Sequence, residues 1–319
     1  MVRARAGQPN LDDDSGLMSY TLPGVTAIHN PIMISCAGRS GSTFFYRILA
    51  RHRDLGWLST YNQVLPSQAW LAVFSRLYGV PVFDRVKHTR YVPKPFSPYR
   101  FWGRYLPNVA RHDRPLTALD VPDAAIEPLR RTIAAVLRYQ DKPRFLMKVT
   151  GWARMEYFDR VFPEMRFIYL RRDPIAVMAS WINAGWLNVT SEPETPGWEW
   201  GEVPSQYMSI WRELGGGPIL SAALKTQLDR DDLRRNATMF RDRCFELDYE
   251  NLVEDPMASF RKTLDFCELD WDRDFEAVVN STMIRNYSTK WKKQIPGEEG
   301  ERVAAFFQRA AEVRLLPSG

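Results

Sequence analysis

The sequence predicts an α/β fold, a three-layer sandwich in which helices cover both faces of a central parallel sheet. Apolar runs of strand length alternate with helical patterns from Pro31 onward, which is typical of parallel strands joined by helical crossovers. The first strand leads through a short glycine-containing turn directly into a helix. With 319 residues, 45% of them hydrophobic, the chain can bury the core of one such domain.

The first strand and helix lie in PIMISCAGRSGSTFFYRILARHR, from Pro31 to Arg53. The turn between them contains Gly38, Arg39, Ser40, Gly41, Ser42 and Thr43. Glycine lets the backbone approach an anion closely, and the N–H groups and dipole of a helix start favour negative charge by up to ~2 kcal/mol. Hydroxyls and the Arg39 guanidinium add further donors. We therefore expect this turn to bind an anion.

The turn lacks the lysine of a nucleoside-triphosphatase loop. Such a loop reads GxxxxGK followed by serine or threonine, and its lysine contacts the terminal phosphates. Here Gly41 occupies the position before Ser42, and no lysine occurs between Cys36 and Thr43. Hydrolysis of ATP or GTP is therefore disfavoured.

The later elements follow from periodicity and turn residues. Residues 54–68 are predicted to form a loop and residues 69–77 an amphipathic segment. Further strands are expected at 144–149, 166–170 and 245–249. Helices are expected at 123–139, 153–162, 175–182, 206–214 and 218–238. The C-terminal third is predicted to be helical except at 285–296.

We expect residues 1–24 to form a flexible tail and residues 25–319 a single domain, with an aromatic and basic insertion at about 55–115. The insertion either borders the mouth of the active site or covers the edge of the sheet. Eight lysines and arginines lie between Arg85 and Arg114, against one acid. Residues 191–202 reverse this balance, with four glutamates and no basic residue.

Composition disfavours several classes of site. The net charge of +5 suits an anionic partner, but prolines interrupt the basic insertion and it matches no nucleic-acid-binding motif, so we expect no nucleic-acid partner. Three widely separated cysteines predict reduced thiols, and four histidines without ligand spacing predict no metal. No run has the length and hydrophobicity of a transmembrane helix or signal peptide, which predicts a cytoplasmic location.

A second motif, YLRRDPIAVMASW, runs from Tyr169 to Trp181. A strand ends just before Arg172, Asp173 can cap the next helix, and Pro174 can begin it. Ser180 follows Arg172 by eight residues, which is about two helical turns. An arginine paired with a hydroxyl suits a phosphate.

Together the two motifs resemble those of sulfotransferases that use 3′-phosphoadenosine 5′-phosphosulfate (PAPS). GRSGST is similar to the 5′-phosphosulfate loop of the tyrosylprotein and carbohydrate branches, and Arg172 and Ser180 match the pair that binds the 3′-phosphate. The resemblance spans roughly residues 31–53 and 145–307. It implies the P-loop NTPase-like sulfotransferase fold.

The resemblance also implies the residues of the site. The cofactor-binding residues are Arg39, Ser40, Gly41, Ser42, Thr43, Arg172, Ser180, Tyr249, Ser288, Lys290 and Lys292. Lys148, near the end of a strand, looks like the lysine that reaches the transferring group, and Arg39 is expected to stabilise the leaving phosphate. We include His52 with Arg39 and Lys148 among the predicted catalytic residues.

The sequence leaves the general base unassigned, because the catalytic glutamate of the tyrosylprotein branch aligns near Thr60, where this sequence has no acid. His88, His112 and Asp113 are the alternatives to His52. We expect transfer from PAPS to a hydroxyl of a carbohydrate, glycolipid or other small metabolite, with release of adenosine 3′,5′-bisphosphate. The alternative is a P-loop kinase or nucleotide-binding protein, which predicts magnesium-dependent binding of ATP.

Overall fold

The computed structural model describes residues 27–79, 93–185, 192–282, 291, 294–295 and 297–315. Within these residues the strands form one sheet in the order β2-β3-β1-β4-β5. They are β1 (Ile32–Cys36), β2 (Leu55–Trp57), β3 (Arg144–Thr150), β4 (Arg166–Arg171) and β5 (Cys244–Asp248). Every pairing is parallel, so the carboxyl ends of the strands lie along one edge of the sheet. The predicted α/β class is confirmed.

Helices connect and cover the strands. The α-helices are α1 (Ser42–Leu49), α2 (Thr60–Val64), α3 (Tyr99–Tyr105), α4 (Asp123–Gln140), α5 (Met155–Val161), α6 (Pro174–Asn183), α7 (Ser205–Glu213), α8 (Pro218–Met239), α9 (Tyr249–Glu254), α10 (Pro256–Phe266), α11 (Arg273–Ser281) and α12 (Glu298–Leu315). Short 3-10 helices span Ala69–Gly79, Ala118–Asp120 and Arg241–Arg243. Among the described helices, none combines the length and the apolarity that crossing a bilayer requires.

Side-chain alternation along the central strands builds the three layers. On β1, Met33 joins the cluster formed with α4 and α5, whereas Ile32 and Ile34 join the cluster formed with α1, α10 and α11. On β4, Phe167 and Ile168 divide in the same way. Successive residues of a strand point to opposite faces, and these strands are apolar on both faces because helices cover both.

One predicted loop is wrong. Residues 54–68 contain β2 and α2, and β2 pairs with β3 at the edge of the sheet. Three residues are too few to show alternation, and the central one, Gly56, is a residue that weakens strands. Tertiary contacts hold β2 instead: the Trp57 N–H donates to Gln140 Oε1 at 2.8 Å, and Gln140 Nε2 donates to the Trp57 carbonyl at 2.7 Å.

The described part of the insertion is anchored to the carboxyl end of β3. Arg154 is buried, and its guanidinium donates to the carbonyls of Val109 at 2.9 Å and Trp152 at 3.0 Å. Ser97 Oγ donates to the carbonyl of Lys148 at 2.8 Å. The insertion therefore lies against the strand that carries the predicted sulfuryl-contacting lysine. The predicted tail at 1–24 lies outside the described residues.

Candidate functional site

The turn after β1 forms a helix start that faces the carboxyl edge of the sheet. Arg39 and Gly41 adopt left-handed backbone conformations, with φ of 66° and 79°. Ser40 is buried and its Oγ donates to the Ala37 carbonyl at 2.8 Å, so its hydroxyl closes the turn. Among the described residues, no side chain caps α1 and no acid lies in its first turn. The first-turn N–H groups, including those of Ser42 and Thr43, have no acceptor within the helix, which favours an anion there.

Glycine at position 41 is required by its neighbours as well as by its φ. A Cβ on Gly41 would lie 2.4 Å from Cε2 of Tyr249. A Cβ on Gly38 would similarly lie 2.4 Å from Cζ2 of Trp181. Two aromatic rings therefore press against the backbone of the turn and fix its position.

The second motif lies directly beside the turn. Asp173 Oδ1 accepts hydrogen bonds from the N–H groups of Ile175 at 2.7 Å and Ala176 at 3.1 Å, so it caps α6 as expected. Arg172 lies between the last residue of β4 and this cap. Arg172 Nη1 donates to the Arg39 carbonyl at 2.8 Å.

The hydroxyl of the second motif contacts the same arginine of the turn. Arg39 Nε donates to Ser180 Oγ at 3.0 Å. The Tyr249 ring lies against Gly41, and its centroid is 4.4 Å from the Arg172 guanidinium carbon. The structure thus brings together five of the sequence-predicted residues from three separate segments of the chain.

Lys148 reaches the turn from the neighbouring strand. Its Nζ donates to Thr43 Oγ1 at 2.9 Å. Burial is the main cause that lowers the pKa of the Lys148 ammonium. The partly buried cation lies at the start of α1, where the helix N–H groups also favour negative charge.

The structure does not bring His52 into this site. The eight-residue helix α1 leads away from the turn and, at 1.5 Å per residue, carries the chain about 12 Å before His52. His52 is buried with its Nε2 2.9 Å from the Asp270 carbonyl, and its Nδ1 accepts from the Asp54 N–H at 3.2 Å. Both ring nitrogens therefore have partners inside the fold, at the opposite edge of the sheet.

The three other candidates for the general base are His88, Asp113 and His112. His88 lies outside the described residues. Asp113 is held by Arg111, whose hydrogen bond lowers the pKa of the carboxyl to about 2, so this carboxylate is a weak base. His112 borders a cavity at the end of β3, and its Nε2 lies 3.3 Å from Glu199 Oε2.

Two cavities open at the carboxyl edge of the sheet. The first has a volume of about 210 Å³ and lies at the ends of β1 and β4, between Ser40 and Arg172. The second has a volume of about 320 Å³ and is lined by Thr150, Trp181 and Trp200. Arg172 lines the first cavity and Trp181 lines the second, so both cavities border the second motif.

Sequence reasoning missed three residues that join the second cavity to the turn. Trp181 Nε1 donates to the Gly38 carbonyl at 2.8 Å, and Lys225 Nζ lies 4.1 Å from a Trp181 ring centroid. Lys225 forms a buried ion pair with Asp229 on α8, and both line the cavity. Because Trp181 directly follows Ser180 in the second motif, the sequence could have indicated that it lies near the site. The i, i+4 spacing of Lys225 and Asp229 equally fits an exposed helix pair, so burial was not predictable from it.

Serine and lysine residues of the C-terminal basic stretch complete the predicted set. Ser288, Lys290 and Lys292 lie outside the described residues. They stay predictions from the sequence.

The comparisons with known proteins agree with this geometry. The sequence profile of the sulfotransferase family matches residues 31–273, which is more than half of the chain. This chain therefore belongs to the sulfotransferase family. No curated protein sequence matches it.

Solved structures share the fold at low sequence identity. The sulfotransferase STF9 from Mycobacterium avium aligns with a TM-score of 0.55 at 15% identity, covering 90% of this chain and 76% of STF9. The sulfotransferase STF1 from Mycobacterium tuberculosis H37Rv aligns with a TM-score of 0.54 at 14% identity, covering 90% of this chain and 78% of STF1. The predicted sulfotransferase fold is confirmed.

Proposed function

We propose that this protein transfers the sulfuryl group of PAPS to an acceptor hydroxyl and releases adenosine 3′,5′-bisphosphate. The observation that carries the proposal is the meeting of the two motifs: Arg172 donates to the carbonyl of Arg39, and Arg39 donates to the hydroxyl of Ser180. A donor with phosphate groups at both ends of an adenosine needs two anion-binding elements close together. We assign one of these roles to the start of α1 and the other to Arg172 together with Ser180 of α6.

In this proposal the turn binds the 5′-phosphosulfate. The N–H groups of the first turn of α1 and the hydroxyls of Ser42 and Thr43 donate to its oxygens. Arg172 and Ser180 bind the 3′-phosphate, for which a permanently charged guanidinium and a hydroxyl are suitable donors. Tyr249 lies against Gly41 and Arg172, and we assign its ring to contact with the nucleoside.

The transfer is an in-line displacement at sulfur. The bond from sulfur to the leaving phosphate oxygen breaks while a bond to the acceptor oxygen forms, and the acceptor proton goes to a base. Negative charge grows on the leaving oxygen and is spread over the sulfuryl oxygens, as in phosphoryl transfer. Lys148 and Arg39 are the cations of the described site that stabilise this charge, and the partial burial of Lys148 strengthens its effect.

The second cavity is the proposed acceptor site. It begins at Thr150, two residues beyond Lys148 on β3, and Trp181 links it to the turn. Aromatic walls suit stacking on a sugar or another ring that carries the hydroxyl. His112 borders this cavity and replaces His52 as the proposed base, with Glu199 oriented to stabilise the imidazolium that forms.

Thermal unfolding with competing nucleotides tests the donor assignment. Adenosine 3′,5′-bisphosphate is expected to raise the Tm, because a ligand that binds only the folded state stabilises it, whereas ATP with magnesium is expected to give little shift. A shift with ATP and magnesium alone would favour the kinase alternative and contradict the proposal. Turnover of labelled PAPS against a panel of carbohydrates, glycolipids and phenols then identifies the acceptor.

A further inference from the structure

An apolar face on the surface of the insertion has no role in the site described above. We call it the docking face. It consists of Val64, Leu65, Trp70, Val73, Phe74 and Phe96. Val64 is 63% exposed, Leu65 50% and Trp70 48%, although large apolar side chains are usually buried. Grouped apolar exposure of this kind marks an interaction surface.

Ordered structure presents these side chains. Helix α2 lies between the 3-10 helix Ala69–Gly79 and α3. The Phe74 ring centroid lies 6.1 Å from that of Trp70 and 6.3 Å from that of Tyr61, so the aromatic side chains form one group. The 3-10 helix is held from its other side, where Leu71 and Ala72 are buried. The outward-facing rings are therefore not needed for the core.

The two described segments that carry the docking face, residues 55–79 and 93–110, have charges of a single sign. Residues 55–79 and 93–110 contain no aspartate or glutamate. They contain the cations Arg76, Lys94, Arg100 and Arg104. Lys94 and Arg100 border α2 directly: the Lys94 carbonyl accepts from the Thr60 N–H at 3.1 Å, and the Arg100 N–H donates to Gln63 Oε1 at 3.1 Å.

Exposed aromatic and aliphatic side chains on segments whose charged residues are all cations fit the surface of an anionic bilayer. The apolar groups enter the boundary between headgroups and acyl chains, while lysine and arginine attract the anionic headgroups. A protein partner of ordinary composition would present charges of both signs, and residues 55–79 and 93–110 offer no carboxylate to pair with the cations of such a partner.

The docking face is continuous with the mouth of the candidate site. Phe96 is one of its residues, and the Phe96 carbonyl accepts from Tyr46 Oη of α1 at 3.5 Å. The next residue, Ser97, donates to the carbonyl of Lys148. A bilayer in contact with the docking face therefore lies beside the lysine proposed to stabilise the transferring group.

We propose that the docking face binds an anionic phospholipid bilayer and that the acceptor hydroxyl belongs to a lipid headgroup at that surface. The second part rests on the proposed function, whereas the first part does not. Among carbohydrates, glycolipids and other small metabolites, the proposed acceptors are then headgroups presented by a membrane.

Sedimentation of the full chain with vesicles tests the docking. Vesicles of phosphatidylcholine with about 30% phosphatidylserine are expected to bind the protein, and vesicles of phosphatidylcholine alone to bind it far more weakly. The variant Trp70→Gln/Phe74→Gln should lose at least about tenfold in partitioning. The variant Lys94→Gln/Arg100→Gln should lose about 25-fold, or fivefold for each cation. The matched control Leu119→Gln/Met239→Gln removes exposed apolar side chains elsewhere and should bind as the wild type does.

Each variant is first compared with the wild type for its Tm and for its shift with adenosine 3′,5′-bisphosphate, so that a folding defect or a failed donor assignment is recognised separately. The proposal is overturned if the wild type ignores anionic vesicles or if the docking-face and control variants bind them equally. The wild type could instead self-associate in a concentration-dependent way and not bind vesicles, with only the docking-face variants losing the self-association. That result would assign the docking face to a protein interface and would also overturn the proposal. With docking established, faster PAPS turnover on a glycolipid in vesicles than on its soluble headgroup supports the lipid acceptor, and equal rates contradict it.

Discussion

Arg172 donates a hydrogen bond to the main-chain carbonyl of Arg39 at 2.8 Å, although 133 residues separate the two in sequence. The bond joins the end of β4 to the turn after β1, two neighbouring strands of the sheet. Because Arg39 in turn donates to Ser180 on α6, the two motifs hold each other in position. If the proposed function holds, the sites for the two ends of the donor are therefore expected to depend on one another.

Replacing Arg172 should remove binding of adenosine 3′,5′-bisphosphate more than it affects the fold. A hydrogen bond to a charged group contributes about 1.5–3 kcal/mol, so Arg172→Met is expected to weaken affinity by at least about tenfold. Isothermal titration calorimetry measures the change. Arg171→Met is the matched control, because Arg171 is already paired with Asp248 and Glu246. An equal loss of affinity in both variants would contradict the role of Arg172.

Gly41 should tolerate no side chain. Gly41→Ala places a Cβ at a φ of 79° and within 2.4 Å of the Tyr249 ring. The backbone cost alone is roughly 1–2 kcal/mol, and displacement of Tyr249 should weaken bisphosphate binding as well. Gly103→Ala is the control: Gly103 lies within α3, and a Cβ there meets nothing within 4 Å. This control should gain about 0.5–1 kcal/mol in the free energy of unfolding and bind the nucleotide normally. Equal Tm values for the two variants would refute the steric argument.

The four longer strands and the turn were predictable because their signals are local. A run such as Ile32–Cys36 is apolar on both faces, and the spacing from Arg172 to Ser180 is a property of one helix. β2 was not predictable because its three residues show no alternation of apolar and polar side chains. They form a strand because they pair with β3 and hydrogen-bond to the Gln140 side chain.

The prediction of His52 rested on its residue type, and its position after the end of α1 places it away from the turn. A helix that begins at an anion site carries every residue after it away from that site. The contact of Trp181 with the Gly38 carbonyl and the burial of Lys225 with Asp229 were missed for a different reason. They depend on how α6 and α8 pack against the sheet, which no local pattern records.

The two histidines make a matched pair for testing the base. His112→Gln is expected to lower kcat by about 10²–10⁴ and leave affinity for adenosine 3′,5′-bisphosphate unchanged, since a base acts on the acceptor proton. His52→Gln breaks buried hydrogen bonds to Asp270 and Asp54 and should instead reduce the free energy of unfolding by about 1–3 kcal/mol, with kcat retained. Steady-state turnover and denaturant unfolding separate the two effects. A loss of kcat in His52→Gln with normal stability would return the base to that residue.

Lys148 should give the reaction an alkaline limit. Burial lowers the pKa of its ammonium below that of an ordinary lysine, so the cation is lost at a lower pH as the pH rises, and the rate falls with it. Lys148→Arg keeps the charge and should move this limit to higher pH, because arginine does not deprotonate in proteins. Lys148→Met should remove the limit and lower kcat by about 10²–10³ at every pH.

The lowered pKa of Lys148 also predicts how stability depends on this side chain. Its buried cation favours turnover but disfavours folding. A lysine whose pKa is lower in the folded state binds protons more weakly there than in the unfolded chain. Its burial therefore disfavours folding at neutral pH. The free energy of unfolding rises as the pH passes from the pKa of the folded state towards that of the unfolded state. Lys148→Met removes this buried cation and should therefore raise the Tm at neutral pH while turnover is lost. Thermal scans of wild type and variant between neutral and alkaline pH measure the difference, which should shrink as the pH rises. A variant that is less stable than the wild type at neutral pH would mean that the hydrogen bond from Lys148 to Thr43 outweighs the cost of burying the charge.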